Sequence, residues 1–354
     1  MKGFMLSIIF SIVVILMASV LFTSAEVQTP TYNWRMVSSD APTGFNTILA
    51  ERYAKLLEER TDGRIKTTVY SGNVIGLQRN VVELVQMGEI ELGAFGYGAL
   101  GGFIPQLQVL ALQYIWPKEN ASEVMAEVFS NGKVVELLNE KMREYGFLTL
   151  TAMPTGWMYI TSNVPIHSPE DVKGLKHRVM TNPILVNGYN AYGFNSQNID
   201  YSEIYVALQN KLIDTQVQTI MGNWDMRFYE VQKYATNLWN EFYVKICVIN
   251  RDVYDSLPKD LQQIVIECAT DLQEPMAEWW SQIEEEYKEN IKKAKPSFII
   301  YDLNEEELAP FRDLAWGEDG PLNAYLKIGG EGAKEILDQL LADIETAIKI
   351  VQNQ

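Results

Sequence analysis

Apolar and polar positions along the chain fall into blocks of changing period. Residues 32–38 (YNWRMVS) read as a strand, and 45–60 carry helical spacing, with Ile48, Leu49, Tyr53, Leu56 and Leu57 on one face. Thr61-Asp62-Gly63 ends that helix, Gly63 being suited to a left-handed cap. Residues 65–70 form the next strand, 77–87 a helix closed by Gly88, and 90–95 a strand. The first third therefore alternates β, α, β, α, β, which predicts a parallel or mixed sheet with helices on its faces.

A helix is expected over 121–145 and a strand over 147–152, and the alternation restarts at 159–162. Short strands follow at 176–179, 196–199 and 213–218, with helices at 183–192 and 202–210. Apolar alternation returns at 242–250, then 258–293 reads as a long helical stretch broken or bent at Pro275. A strand at 297–302 and helices at 305–316 and 331–351 complete the chain. Two successive α/β patterns with no repeat and no low-complexity linker suggest two lobes joined by several chain crossings, the build of hinge-closing receptors.

Composition narrows the function. The 354 residues, 47% apolar and 21% charged, have an ordinary globular balance and allow two domains. The net charge of −17 leaves no basic face for nucleic acid and disfavours an anionic membrane surface. Two cysteines make no disulfide framework, and two histidines leave little room for metal sites or triads. Residues 1–25 join Lys2 to an apolar run ending in Thr23-Ser24-Ala25, which reads as a secretory signal cleaved after Ala25. The run approaches the ~20 residues that span a bilayer, so a retained anchor is the alternative. Either way the body is expected outside the cytoplasm, in the periplasm, with no membrane insertion of the mature chain.

Few motifs carry chemistry. Gly96-Tyr-Gly98-Ala-Leu-Gly101 matches a dinucleotide loop, but the following Gly102-Phe-Ile-Pro105 starts a helix poorly, and a Gly-rich connection is the better reading. Cys247 and Cys268 sit in apolar surroundings and read as inert buried thiols, a disulfide between them staying open. His167 and His177 lack ligand spacing and read as surface or interdomain residues. Glu284 to Glu289 read as a solvated helix face. Aromatic residues near turns, among them Trp34, Trp116, Trp157, Tyr159 and Trp239, suggest core with some cleft lining. No cofactor is indicated.

Arg178, at the end of a short strand, offers a planar fork for a carboxylate if it faces a cleft. Its segment, SNVPIHSPEDVKGLKHRV, is followed by DYSEIYVALQNKLIDTQVQ, FYEVQKYATNLWN and VINRDVYDSLPKDLQ. With ERYAKLLEERTDGRIKTTVYSGNVIG, ELVQMGEIELGAFG and IPQLQVLALQYIW upstream, the chain resembles the extracytoplasmic solute receptors of TRAP transporters from residue 31 to about 345. The resemblance implies a two-lobed periplasmic-binding-protein α/β fold with a hinge and a long helix along both lobes. It implies lobe one as 31–154 plus 244–283, lobe two as 155–243 plus 284–340, and 341–354 as the C-terminal helix end.

Position by position, the family's carboxylate-binding arginine falls on Arg178. A frequent second arginine is here Met158, in Gly156-Trp-Met158-Tyr-Ile-Thr161. The family's site asparagine becomes Gln218, its acidic residue Gln78, its phenylalanine Tyr201, and the proline after Arg-Val becomes Met180. With one arginine and apolar neighbours, the resemblance implies a monocarboxylate with an apolar or aromatic body. Gln218 and Asn182 would stand beside it, Tyr97, Tyr114 and Gln78 would close from lobe one, and Trp224 would add an aromatic wall. Delivery to TRAP membrane subunits is implied. The alternatives are a sensor of the same fold and a secreted enzyme, for which no nucleophile or metal motif is present.

Overall fold

The computed structural model describes residues 32–353 apart from residue 73, so the expected signal segment lies outside the described residues. Among the described residues nine strands join in one mixed sheet: β1 Tyr32–Ser38, β2 Ile65–Tyr70, β3 Leu92–Gly96, β4 Phe147–Ser162, β5 Lys176–Val179, β6 Asn195–Asn198, β7 Thr215–Thr219, β8 Tyr234–Asn250 and β9 Ile299–Asp302. Their order is β2-β1-β3-β8-β4-β7-β5-β6, with β9 on the free part of β8. The pairs β1/β2, β1/β3, β5/β6, β5/β7 and β8/β9 are parallel.

The antiparallel pair β4/β8 runs through both lobes. Residues 147–154 pair with 244–250, beside β3, in the first lobe. Residues 157–162 pair with 234–242, beside β7 and β9, in the second. The register slips where the chain passes between lobes, at Pro154/Gly156 and Trp157/Tyr159. Gly156 sits at φ +117, a backbone conformation that favours glycine. At the second slip only Met158 lies opposite residues 238–241 of β8, where Trp239 takes φ +49. The pattern read 147–152 and 159–162 as separate strands and saw only 242–250 of β8. Both are single long strands; the pattern breaks at the crossing, where the register slips and buried polar residues such as Thr155, Asn237, Asn240 and Glu241 interrupt the apolar run.

Two helix expectations change. The 121–145 stretch is two helices, Ala121–Asn131 and Val134–Glu144, parted at an extended Gly132 (φ −73, ψ 140). The Asp343 carboxylate accepts the Val134 N–H at 2.7 Å and so caps the second helix. The 258–293 stretch breaks before Pro275, into Lys259–Thr270 and Gln273–Ala294. Pro275 lies in the first turn of the latter, where its missing N–H costs no helical bond. That helix runs along both lobes: Gln273 donates to Thr151 at 3.0 Å, and Tyr159 donates to Glu284 at 3.2 Å. The boundary expected at 340 falls inside helix Ala333–Gln352, which packs on Ala121–Asn131. Among the described residues no helix is long and apolar enough to cross a membrane.

Several side chains settle other readings. His177 is fully buried rather than at a surface, against Tyr189 and Phe194, with Nδ1 2.8 Å from Thr215 Oγ1. Burial, then the Arg178 charge, lowers its pKa to about 3, so the imidazole is neutral. His167 is exposed and meets Glu307 at 2.8 Å. Cys247 and Cys268 are free thiols in one core cluster. The glycine run 96–101 is packed solid: a Cβ on Gly98 would stand 2.7 Å from Met180 Sδ, and one on Gly101 2.8 Å from Asn182 Nδ2. It is a close lobe-to-lobe contact with no room for a pyrophosphate.

The slipped segment of β8 places Glu241 between the lobes. Its buried carboxyl accepts the Tyr97 hydroxyl from the first lobe and the Tyr189 hydroxyl, at 2.9 Å, from the second. Burial raises its pKa to about 7, against the lowering by Tyr97, Tyr189 and Arg178.

Two expectations follow. Gly96→Ala drives a methyl into the Tyr243 hydroxyl and should cost about 1–3 kcal/mol as overpacking, read as a lower Tm; an unchanged Tm refutes the close packing. Between pH about 4.5 and 7 native Glu241 keeps a proton that the unfolded chain has lost, so its contribution to stability falls as pH rises through that window. Glu241→Gln removes this loss, and its Tm relative to wild type should climb from pH 5 to 7.5, an effect of order 3 kcal/mol at most. A difference that stays flat with pH removes Glu241 as the titrating group.

Candidate functional site

Arg178 lies on β5, an inner strand between β6 and β7, opposite Gln197 and Gln216. Only 2% of it is exposed. Its Nε donates to the Ile199 carbonyl at 2.9 Å, while Nη1 is buried with no hydrogen-bond partner. No ion pair to Arg178 exists among the described residues. Burial lowers its pKa to about 10, with Tyr243, Tyr201, Asp200 and Glu241 acting the other way, so the guanidinium stays charged at neutral pH.

The guanidinium borders a narrow cavity between the lobes, with about 10 Å³ of free space. Ser39, Asp40 and Gln78 line it from the first lobe, Arg178, Met180, Tyr201 and Gln218 from the second, and Tyr243 and Lys245 from β8. Across Gln78 and Arg178 it adjoins a wider cavity of about 300 Å³, bordered by Leu77, Phe103, Thr181 and Asp200. Gln78 ties the walls together: its Nε2 donates to Ser39 Oγ at 2.8 Å, and its backbone N–H donates to Asp200 at 3.2 Å.

A second cation stands in the cavity wall. Lys245 Nζ lies 3.3 and 3.5 Å from the Asp40 carboxylate oxygens and 4.8 Å from the Tyr243 ring centroid. Asp40 also accepts the Asn46 N–H at 3.1 Å and Asn46 Nδ2 at 3.2 Å. Nearby Asp225 has its pKa pushed up to about 7 by burial and by Asp40.

Of the nine residues expected at the site, Arg178, Gln78, Tyr201 and Gln218 line this one cavity. The other five stand outside it. Met158 is buried in β4 opposite Thr219. Tyr97 is spent on Glu241, and Asn182 Oδ1 caps helix Pro183–Ala191 through Ile184 and Leu185. Tyr114 sits at φ +58 beneath Arg312. Trp224 stacks on Tyr229 at 5.4 Å. Sequence reasoning missed Asp40 and Lys245. A signal was present: Lys245 is the single charge in the buried run 242–250.

Comparison with known proteins agrees with this architecture. The model of the family described as bacterial extracellular solute-binding protein, family 7, matches residues 37–315. The ectoine-binding periplasmic protein TeaA of Halomonas elongata is 27% identical over 88% of this chain and 90% of its own. The ectoine/5-hydroxyectoine-binding periplasmic protein UehA of Ruegeria pomeroyi is 25% identical over 91% and 92%. The high-resolution structure of the Halomonas elongata protein superposes with a TM-score of 0.84 at 27% identity, covering 89% of this chain and 99% of that one. A TRAP periplasmic solute-binding protein from Desulfovibrio salexigens with bound orotic acid gives 0.83, with the same identity and coverage. These relatives are all described as solute-binding proteins. With the family model covering most of both lobes and the solved relatives sharing the whole architecture, this chain belongs to family 7 of the bacterial extracellular solute-binding proteins, as a solute receptor of the TRAP type.

Proposed function

We propose that the receptor captures a small organic monocarboxylate in the cavity between its lobes and delivers it to TRAP membrane subunits from the periplasm. One observation carries this reading: a buried guanidinium with a free N–H and no carboxylate partner among the described residues. A buried unpaired charge costs several kcal/mol, and a ligand carboxylate is the group that removes the cost with a bidentate, charge-assisted contact. The ligands named for the similar proteins, ectoine and orotic acid, are small organic solutes of this scale.

The body of the ligand is read differently from the wall than from the sequence. Met158, Tyr97 and Trp224, which suggested an apolar or aromatic tail, stand outside the cavity. Ser39, Gln78 and Gln218 take their place. With about 10 Å³ free, room for one water, the lobes must part to admit a ligand, and these side chains would then favour an uncharged body with hydrogen-bonding groups, flanked by Tyr201, Met180 and Tyr243.

A thermal-shift panel of organic acids tests this. A monocarboxylate at 100 times its Kd should stabilise by about 2.7 kcal/mol. Arg178→Met should abolish that shift, while its ligand-free Tm stays level or rises, because a buried unpaired charge is gone. A shift that persists in Arg178→Met, or that arises only with uncharged solutes, sinks the reading.

A further inference from the structure

The cavity holds two cations, yet only one is available. Arg178 is unpaired, whereas Lys245 is neutralised by Asp40 at 3.3 and 3.5 Å. Asp40 is not a loose surface acid. It enters from the turn before helix Phe45–Arg60, where the Asn46 N–H and Nδ2 hold both its oxygens and Ser38 Oγ accepts its own N–H at 3.2 Å. Lys245 reaches it from the opposite side, on β8. Burial pulls the lysine pKa down, but Asp40, Tyr243 and Asp225 more than offset this, so the ammonium stays charged.

The Asp40 carboxylate therefore occupies the place that a second ligand carboxylate would take on Lys245. A dicarboxylate would have to displace a fixed internal anion and face it at close range. Built-in repulsion of this kind discriminates between ligands of one shape and different charge.

We propose that the Asp40–Lys245 ion pair sets the charge selectivity of the receptor, making a two-cation cavity accept one ligand carboxylate and reject a second. The inference rests on the monocarboxylate reading above and names what enforces it. Asp40→Asn keeps the shape and the acceptor for the Asn46 N–H, reverses the second contact so that the new amide donates to a turned Asn46 Oδ1, and frees Lys245.

Calorimetry on the purified receptor would compare acids matched in size, butyrate with succinate and glucuronate with glucarate. Wild type should favour the monocarboxylate of a pair. Asp40→Asn should move the affinity ratio toward the dicarboxylate by tenfold or more, and Asp40→Asn with Lys245→Met should cancel that gain. A folded Asp40→Asn receptor whose ratio moves less than twofold overturns the proposal. Wild type that already favours the dicarboxylates overturns the monocarboxylate reading itself, an outcome visible before any variant is made. If Asp40→Asn does not fold, Lys245→Met alone decides: it leaves Asp40 uncompensated in the cavity and should weaken the monocarboxylates at least tenfold, while unchanged affinity counts against the pair.

Discussion

The cavity is organised around one buried positive charge, Arg178, that no carboxylate among the described residues answers. Three carboxyl groups act on Arg178 electrostatically or share its cavity, and each is held elsewhere. Asp40 is on Lys245 and Asn46, Asp200 accepts from Gln78 and Ser202, and Glu241 accepts two tyrosine hydroxyls. If any of them swung onto the guanidinium, the cavity would be satisfied without a solute. In the proposed function, hydrogen bonds that restrain these acids matter as much as the arginine itself.

The same constraint explains the tight seam beside the cavity. Gly98, Gly101 and Gly102 let the first lobe approach Met180, Thr181 and Asn182 so closely that a methyl group on any of them would collide. Those three residues directly follow β5, the strand that bears Arg178. Close approach keeps water from the guanidinium, and a low local dielectric strengthens whatever pairs with it. The slipped segment of β8 adds Glu241 at the same level, linking both lobes through Tyr97 and Tyr189.

Much of this was legible in the sequence, and the failures share a cause. Strands β1, β2 and β5 and helix Phe45–Arg60 were read to the residue; in β1, β2 and the helix one side faces a core and the pattern keeps its period, while β5, buried almost throughout, was marked by the turn before it. Strands β4 and β8 were read only in pieces, because buried polar residues interrupt the apolar run at the crossing, and the bends at Pro154 and Gly156 resemble ends. The break at Gly132 depends on Asp343, some two hundred positions away, which no local pattern reveals. Of the residues that the resemblance named, Arg178, Gln78, Tyr201 and Gln218 line one cavity, whereas the Tyr97 hydroxyl is bound to Glu241 and Asn182 Oδ1 caps a helix. Lys245 was hidden by its apolar neighbours.

The shared strands also dictate when the protein can fold. The first lobe has β1 to β3 and several of its helices early in the chain, but its sheet is completed only when residues 245–249 of β8 lie against β3, and helix Lys259–Thr270 joins its core later still. Until that late segment is present, β3 keeps an open edge, and the second lobe likewise lacks the centre of its sheet. Such distant pairings are slow to form because a long loop must close first. The two lobes are thus coupled through shared strands, and the sheet of the first cannot close until β8 has been made.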